Sequence, residues 1–222
     1  MKIVIKEPFL SVFKTISEAL DSKVYIVGGF VRDTLLGRET TDMDFATSVS
    51  PEVVHSKFPF LYYPKFGTTS FKIDTVKVTI ATFREENGYS DHRHPLEVRF
   101  VDDYLLDYKR RDFTINCLYV DQNMNVLDPT RHGIVDLTSK RLCLIGDAKQ
   151  RLEEDPLRIL RAYRFSSELF FTFDDELKEA IEEKKDLIFS LSKGKVREEL
   201  SKFDKENREK IVKELSLEPF MV

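Results

Sequence analysis

The sequence predicts an α+β protein: a head of short helices and mixed strands over residues 1–146, followed by a helical part over residues 147–222. Three observations lead there. Two strand-like runs, Val24–Val27 and Asp42–Ala46, flank "GGFVRDTLLG", a short helical pattern bounded by glycines. Phe71–Ile73 and Val76–Phe83 alternate around Asp74-Thr75 as a hairpin does. From Asp147 onward the chain reads as helices opened by capping residues.

Phe9, Leu10, Phe13, Ile16 and Leu20 recur at helical spacing, so a helix opens the fold. Val24–Val27 is a buried strand, Phe30–Leu36 a short helix and Gly37 its C-cap. Asp42–Ala46 is the second strand. Ser50-Pro51-Glu52 puts an N-cap before a proline at the first helical position. Residues 84–95, "REENGYSDHRHP", have no periodicity and are predicted as a loop. After Asp112-Phe113 the chain is expected to turn helical, with short strands near Leu118–Val120 and Val126–Leu127 and a further strand in "RLCLIG". Asp155-Pro156 reads as an N-cap with proline at the first helical position, and Asp174 and Ser192 read as later caps.

With 222 residues, 41% hydrophobic and 33% charged, the composition is that of a globular chain with a real core. The net charge of −4 means that a nucleic acid would have to be held by a local basic patch. Lys140–Arg164, with seven basic residues against four acidic ones, is such a patch. Cys117 and Cys143 form neither a disulfide framework nor a metal spacing, which points to a reduced, cytoplasmic setting. Lys6, Glu7 and Lys14 interrupt any signal-peptide core, and no apolar run is long enough to span a membrane. His92-x-His94 falls in the predicted loop and is read as loop rather than as a metal site.

Two clusters point to chemistry. Asp42 and Asp44, spaced i and i+2, share one side of a strand. Just before them, Gly28-Gly29 sits between strand and helix, where backbone N–H groups can meet an anion. Metal ligands beside a phosphate cradle suggest nucleotide chemistry; the plain alternative is two solvated acids and a tight turn. Asp155 and Arg158, spaced i and i+3, share a helix face and aim an acceptor and a donor array at one spot. The alternative there is an N-cap with a surface arginine.

Four ordered stretches carry a family resemblance. They are "GGFVRDTLLGR" with "DMD" behind it, "RRDFTINCL" from Arg110, "DPTRHGIVDL" from Asp128 and "EEDPLRILRAYRF" from Glu153. Over nearly its whole length the chain resembles the class II tRNA nucleotidyltransferases, the CCA-adding enzymes and their bacterial poly(A) polymerase relatives, in the polymerase β superfamily. The resemblance implies a polymerase β-like nucleotidyltransferase head with a mixed or antiparallel sheet and a helical neck. It implies template-independent addition of C and A, from CTP and ATP, to the tRNA 3′ end. Asp42 and Asp44 would be the catalytic residues and hold Mg²⁺. Gly28, Gly29 and Arg32 would bind the triphosphate, with Asp33 orienting Arg32 or the turn.

Arg111 and Asp112 would contact the ribose, or else form a pair capping the next helix. Asp155 and Arg158 would be the protein template. The carboxylate accepts from the exocyclic amine of C or A, and the guanidinium donates to a ring nitrogen or carbonyl. Arg161 and Arg164 are weaker candidates for phosphate contacts. Asp128 and Asp136 match a segment that couples head and neck and are read as structural, Asp136 as an N-cap. Residues 85–94 match the family's flexible loop, which helps the pocket change from C to A.

Some residues depart from the pattern. Thr79 stands where many members have a third carboxylate, a Glu. Gly194-Lys195-Val196 replaces the usual Glu-Arg-Ile core of the neck motif, and Cys117 replaces an Ala. "LYYPKFGTTSF" stands where true bacterial poly(A) polymerases carry a Gly-Arg-Arg-Phe run. The chain stops at Val222, where family members continue into helical body and tail domains, so those are expected to be absent. The rival readings are CC-only addition, A-only addition, poly(A) synthesis, and a catalytically lapsed RNA-binding module.

Overall fold

Val12, Phe13, Ile16 and Leu20 lie buried along one face of α1 (Phe9–Leu20) in the computed structural model, which describes residues 1–89 and 95–221. The helix stops at Asp21, whose left-handed backbone (φ 44°) returns an N–H to Ser17. The chain divides into two units, residues 1–87 with 97–135, and residues 88–96 with 136–222.

The first unit is built on a seven-stranded sheet. After α1 come β1 (Val24–Val27), α2 (Gly29–Leu35), β2 (Asp42–Thr47) and α3 (Pro51–Lys57). Then follow β3 (Leu61–Tyr63), β4 (Thr68–Ile73), β5 (Val76–Thr82), β6 (Arg84–Tyr89) and β7 (Pro95–Phe100). The chain continues with α4 (Tyr104–Asp107), β8 (Tyr119–Val120), β9 (Val126–Leu127) and α5 (Gly133–Thr138). The sheet order is β3-β4-β5-β2-β1-β8-β9. The β2–β5 pair is parallel and the other pairs are antiparallel, so the sheet is mixed. Along β2 the period of two buries Met43 and Phe45 and leaves Asp42 and Asp44 on the open side. Ser50 caps α3 by accepting from Val53 N–H, and Asp74 turns the β4–β5 hairpin with φ 52°.

Several expectations are corrected. Of the expected loop 84–95, residues 84–89 are a strand and Pro95 opens another, and the two strands form a separate two-stranded ribbon; residues 90–94, with His92 and His94, lie outside the described residues. The ribbon's first strand is anchored by Arg84, which pairs with Glu86 and donates to the Phe66 carbonyl. The helix expected after Phe113 is one 3-10 turn, Thr114–Asn116. Asp136 lies inside α5, buried and paired with Arg141 at 3.1 Å, so it is no N-cap. Cys117 is fully buried, and burial pushes its thiol up to about 12, so it packs as a neutral side chain.

The second unit carries β10 (Arg141–Leu142), α6 (Ala148–Glu154), α7 (Leu157–Leu169), β11 (Thr172–Phe173), α8 (Asp175–Lys184), α9 (Lys193–Leu200) and α10 (Lys205–Glu214). It is not wholly helical, because β10 and β11 pair in parallel. Asp174 caps α8 by accepting from Leu177 N–H; Ser192 holds the N-cap position of α9 without a side-chain bond. Leu157, Ile159, Leu160, Ala162, Phe165 and Leu169 bury most of α7.

Candidate active site

The site in the first unit starts from β2. Asp44 stands opposite Val27 on β1 and opposite Thr79 on β5. The buried neighbours Met43 and Phe45 lock the strand, so the two acids are presented on one face of a rigid element. Asp42 is exposed and pairs with Lys77 at 3.3 Å. Asp44 is exposed to solvent yet flanked by protein, and desolvation raises its pKa. Asp42 adds to the rise, while Arg111, Lys77 and the Thr79 hydroxyl oppose it.

Gly28 closes one side of this face. Its φ of 81° is a conformation that side chains rarely adopt, and a Cβ there would come within 3.4 Å of Asp44 Oδ2. A Cβ at Gly29 would stand 3.5 Å from Arg32 Nη2, so the Arg32 guanidinium lies over the glycine turn. Arg32 is only 7% exposed. Asp33 holds it in a fork, with Nε donating to Oδ1 at 2.9 Å and Nη2 to Oδ2 at 2.8 Å. The expectation that Asp33 orients Arg32 matches this geometry.

Arg32 Nη1 donates to Asn116 Oδ1 at 2.7 Å, and Asn116 Nδ2 donates to Asp112 Oδ1 at 3.3 Å. Asp112 Oδ1 also accepts from Phe113 N–H at 2.7 Å. The glycine turn and the Arg111-Asp112 segment are therefore joined through one amide. Asn116 was not singled out from the sequence. The available signal was a polar amide between Ile115 and Cys117-Leu118, since an amide is buried in such a run only with its hydrogen bonds made.

Arg111 donates from Nε to Tyr119 Oη at 2.8 Å and from Nη2 to Asp107 Oδ2 at 3.1 Å, and lies over the Tyr119 ring. Asp107 is fully buried and also accepts from Arg84 N–H, Arg110 Nε and Tyr119 Oη. Burial alone would raise its pKa, but Arg110 and Arg111 hold it well below the usual carboxylate range.

In the second unit, Asp155 follows α6 and Arg158 lies in the first turn of α7. The helix starts at Leu157, with Pro156 at the N-cap position, one residue later than expected. Asp155 still caps it, because Oδ1 accepts from Leu157 N–H at 3.1 Å. Arg158 is 6% exposed, and its Nη1 donates to the Arg151 carbonyl and to Glu154 Oε2. This differs from the surface arginine of the plain alternative. Glu154 also pairs with Arg151. Arg161 lies over the Phe165 ring, as does Arg164, and Arg164 pairs with Glu199 at 2.7 Å and with Glu168 at 3.1 Å.

Comparison with known proteins bears on this arrangement. Residues 24–143, more than half of the chain, match the model of the poly(A) polymerase head domain. A CCA-adding enzyme of Lactobacillus johnsonii is 40% identical over 195 residues, which is 87% of this chain and 48% of that protein. One from Geobacillus is 37% identical over 202 residues, 89% of this chain and 50% of its own length. The crystal structure of the Bacillus stearothermophilus CCA-adding enzyme in complex with CTP superposes with a TM-score of 0.79 at 33% identity, over 89% of this chain and 49% of that one. The chain thus spans about half the length of the curated relatives it matches. It belongs to the poly(A) polymerase head-domain family.

Proposed function

We propose that this chain carries the catalytic head, over residues 1–146, and the base-selecting neck, over residues 147–222, of a cytoplasmic CCA-adding enzyme. The reaction is template-independent transfer of a nucleotide from CTP or ATP to the tRNA 3′ end. The terminal hydroxyl oxygen attacks the α-phosphorus, the bond to the β-phosphate oxygen breaks, and pyrophosphate leaves. The observation that carries this reading is the face made by Asp42, Asp44 and Gly28, two strand-mounted carboxylates beside a turn whose backbone conformation side chains rarely adopt.

The carboxylate pair fits Mg²⁺, which binds through one or two carboxylates together with substrate phosphate oxygens and keeps several waters. Among the described residues no group of three or more metal-ligating side chains is found, and this binding mode does not require one. When bound, the metal supplies charge stabilisation for the attacking and leaving oxygens of an in-line displacement.

The remaining roles belong to the chain. Gly28 and Gly29 let the backbone approach the β- and γ-phosphates, and Arg32, held by Asp33, adds a charge-assisted contact. Arg111 and Asp112 meet the ribose. Asp155 accepts from the exocyclic amine of C or A and Arg158 donates to the base, its guanidinium held by Glu154 and the Arg151 carbonyl. A guanidinium has five N–H donors, so these bonds leave donors for a base. Arg161 and Arg164 are further, weaker candidates to meet phosphate, and Arg164 also pairs with Glu199 and Glu168.

The test is incubation with labelled CTP and ATP, singly and together, on tRNAs ending before CCA, after C and after CC. Addition of C, C and A in turn supports the reading. Addition limited to C or to A replaces it with a partial activity, and no incorporation on any acceptor rejects it.

A further inference from the structure

Asn116 carries none of the roles above, yet it joins two parts of the site that lie far apart in sequence. It closes the 3-10 turn after Phe113, between the fully buried Ile115 and Cys117, and is itself 7% exposed. Its orientation is fixed by its partners. A guanidinium only donates and a carboxylate accepts, so Oδ1 must face Arg32 and Nδ2 must face Asp112. The flipped amide would set N–H groups against N–H groups on one side and oxygen against oxygen on the other.

The Arg32 guanidinium is thereby held by three hydrogen bonds, two to the Asp33 carboxylate and one to Asn116. Through these bonds the placement of Arg32 and that of Asp112 Oδ1 depend on the same amide. Phe113 N–H donates to the same oxygen, so Asp112 is oriented from the backbone and from Asn116 together.

We propose that Asn116 is a positioning residue that couples the triphosphate cradle to the ribose-reading carboxylate and so sets the preference for ribonucleotides over 2′-deoxyribonucleotides. This rests on the nucleotidyltransferase reading of the same site. Two substitutions separate the arms. Asn116→Asp keeps an acceptor for Arg32 but removes the donor to Asp112 and sets two carboxylates against each other. Asn116→Ala removes both contacts.

The experiment measures equilibrium binding of CTP and 2′-deoxy-CTP, in the presence of Mg²⁺, to wild type and both variants, with a thermal melt of each. The ratio of the two dissociation constants is expected to fall by about tenfold in both variants, the size of one hydrogen bond to a charged group. CTP affinity is expected to weaken further in Asn116→Ala than in Asn116→Asp, because only the aspartate retains the Arg32 contact. A purely packing role would weaken both nucleotides equally and leave the ratio unchanged. An unchanged ratio in Asn116→Asp overturns the inference and leaves the nucleotidyltransferase reading in place. Wild type that binds CTP no tighter than 2′-deoxy-CTP overturns the inference, and loss of CTP binding altogether overturns the functional reading as well. If Asn116→Ala does not fold, the ratio in Asn116→Asp decides alone.

Discussion

Asp44 and Thr79 stand opposite each other across the parallel β2–β5 ladder, and the Thr79 hydroxyl beside the Asp44 carboxylate lowers its pKa. A carboxylate in place of Thr79 would raise the Asp44 pKa further, whereas the hydroxyl lowers it. Thr79 therefore favours the ionised form of Asp44 against desolvation and against the charge of Asp42. A divalent cation acts in the same direction. In the proposed function the two strand acids hold the metal with a hydroxyl, not a third carboxylate, as their neighbour.

Asp42→Ala and Asp44→Ala are each expected to reduce nucleotide addition by at least about a hundredfold, since metal stabilisation of the displacement is worth several kcal/mol. Stability should barely change for Asp42→Ala, because its pair with Lys77 is exposed and such pairs contribute about 0–1 kcal/mol. Single-turnover addition measured beside a thermal melt checks this. Activity within a few-fold of wild type for either variant would remove the two-carboxylate assignment.

Asp107 ties Arg84, Arg110, Arg111 and Tyr119 to one buried carboxylate. Its pKa is held below the unfolded value of 3.8 by Arg110 and Arg111 despite burial. The unfolded chain thus binds this proton at higher pH than the native one does. The contribution to stability is fully present above that value and is lost as pH falls through the native pKa. Asp107→Asn should cost about 3–5 kcal/mol at neutral pH, as expected when one partner of a buried ion pair is removed. Its stability should also fall less steeply between about pH 5 and pH 2 than that of wild type. Denaturant unfolding across that range provides the measurement, and parallel pH profiles would refute the linkage.

Glu199 is 1% exposed and lies between Arg164 and Lys202. Burial alone would raise its pKa, but its bonds with Lys202 and Arg164 bring it below the usual value. Arg164→Ala leaves Glu199 with Lys202 and the nearby charge of Arg161 and should cost about 2–3 kcal/mol, somewhat less than leaving a buried charge wholly unpaired. CTP binding by the folded variant should stay near that of wild type. A stable variant with weakened CTP binding would instead assign Arg164 to phosphate.

The parts of the fold legible in the sequence were those written in local pattern. The apolar spacing of Phe9–Leu20, the alternation around Asp74-Thr75 and the Ser50-Pro51 cap each specify an element within one window of residues. Residues 84–89 escaped because a polar two-stranded ribbon has no buried face to impose a period of two. Asp136 escaped because the sequence does not reveal which acid starts a helix and which lies buried inside one against Arg141. The Arg32–Asn116 bond joins residues 84 positions apart, and no local periodicity encodes such a contact. The carboxylates of β2 were legible because the strand period alone places them on one side.

Asp155 has two tasks that a single substitution can confuse. Its Oδ1 accepts from Leu157 N–H and so caps α7, and in the proposed function the carboxylate also accepts from the exocyclic amine of C or A. Asp155→Ala removes both and should cost about 1 kcal/mol of stability through the lost cap. It should also reduce the CTP-to-UTP ratio of kcat/KM by about 5–150-fold, corresponding to 1–3 kcal/mol for a buried polar group left unpaired by the wrong base. Asp155→Asn separates the tasks, because asparagine caps a helix about as well as aspartate. Its amide also presents N–H donors where the carboxylate only accepted, and these suit the O4 carbonyl of uracil. Asp155→Asn is therefore expected to melt like wild type while its preference shifts from CTP toward UTP. Arg158→Ala should weaken CTP and ATP together and also destabilise the chain, because it unpairs one side of Glu154. Steady-state kinetics with CTP, ATP and UTP on a tRNA ending before CCA, run beside thermal melts, distinguish these outcomes. A wild-type CTP-to-UTP ratio in Asp155→Asn would leave Asp155 as a helix cap and place base selection elsewhere.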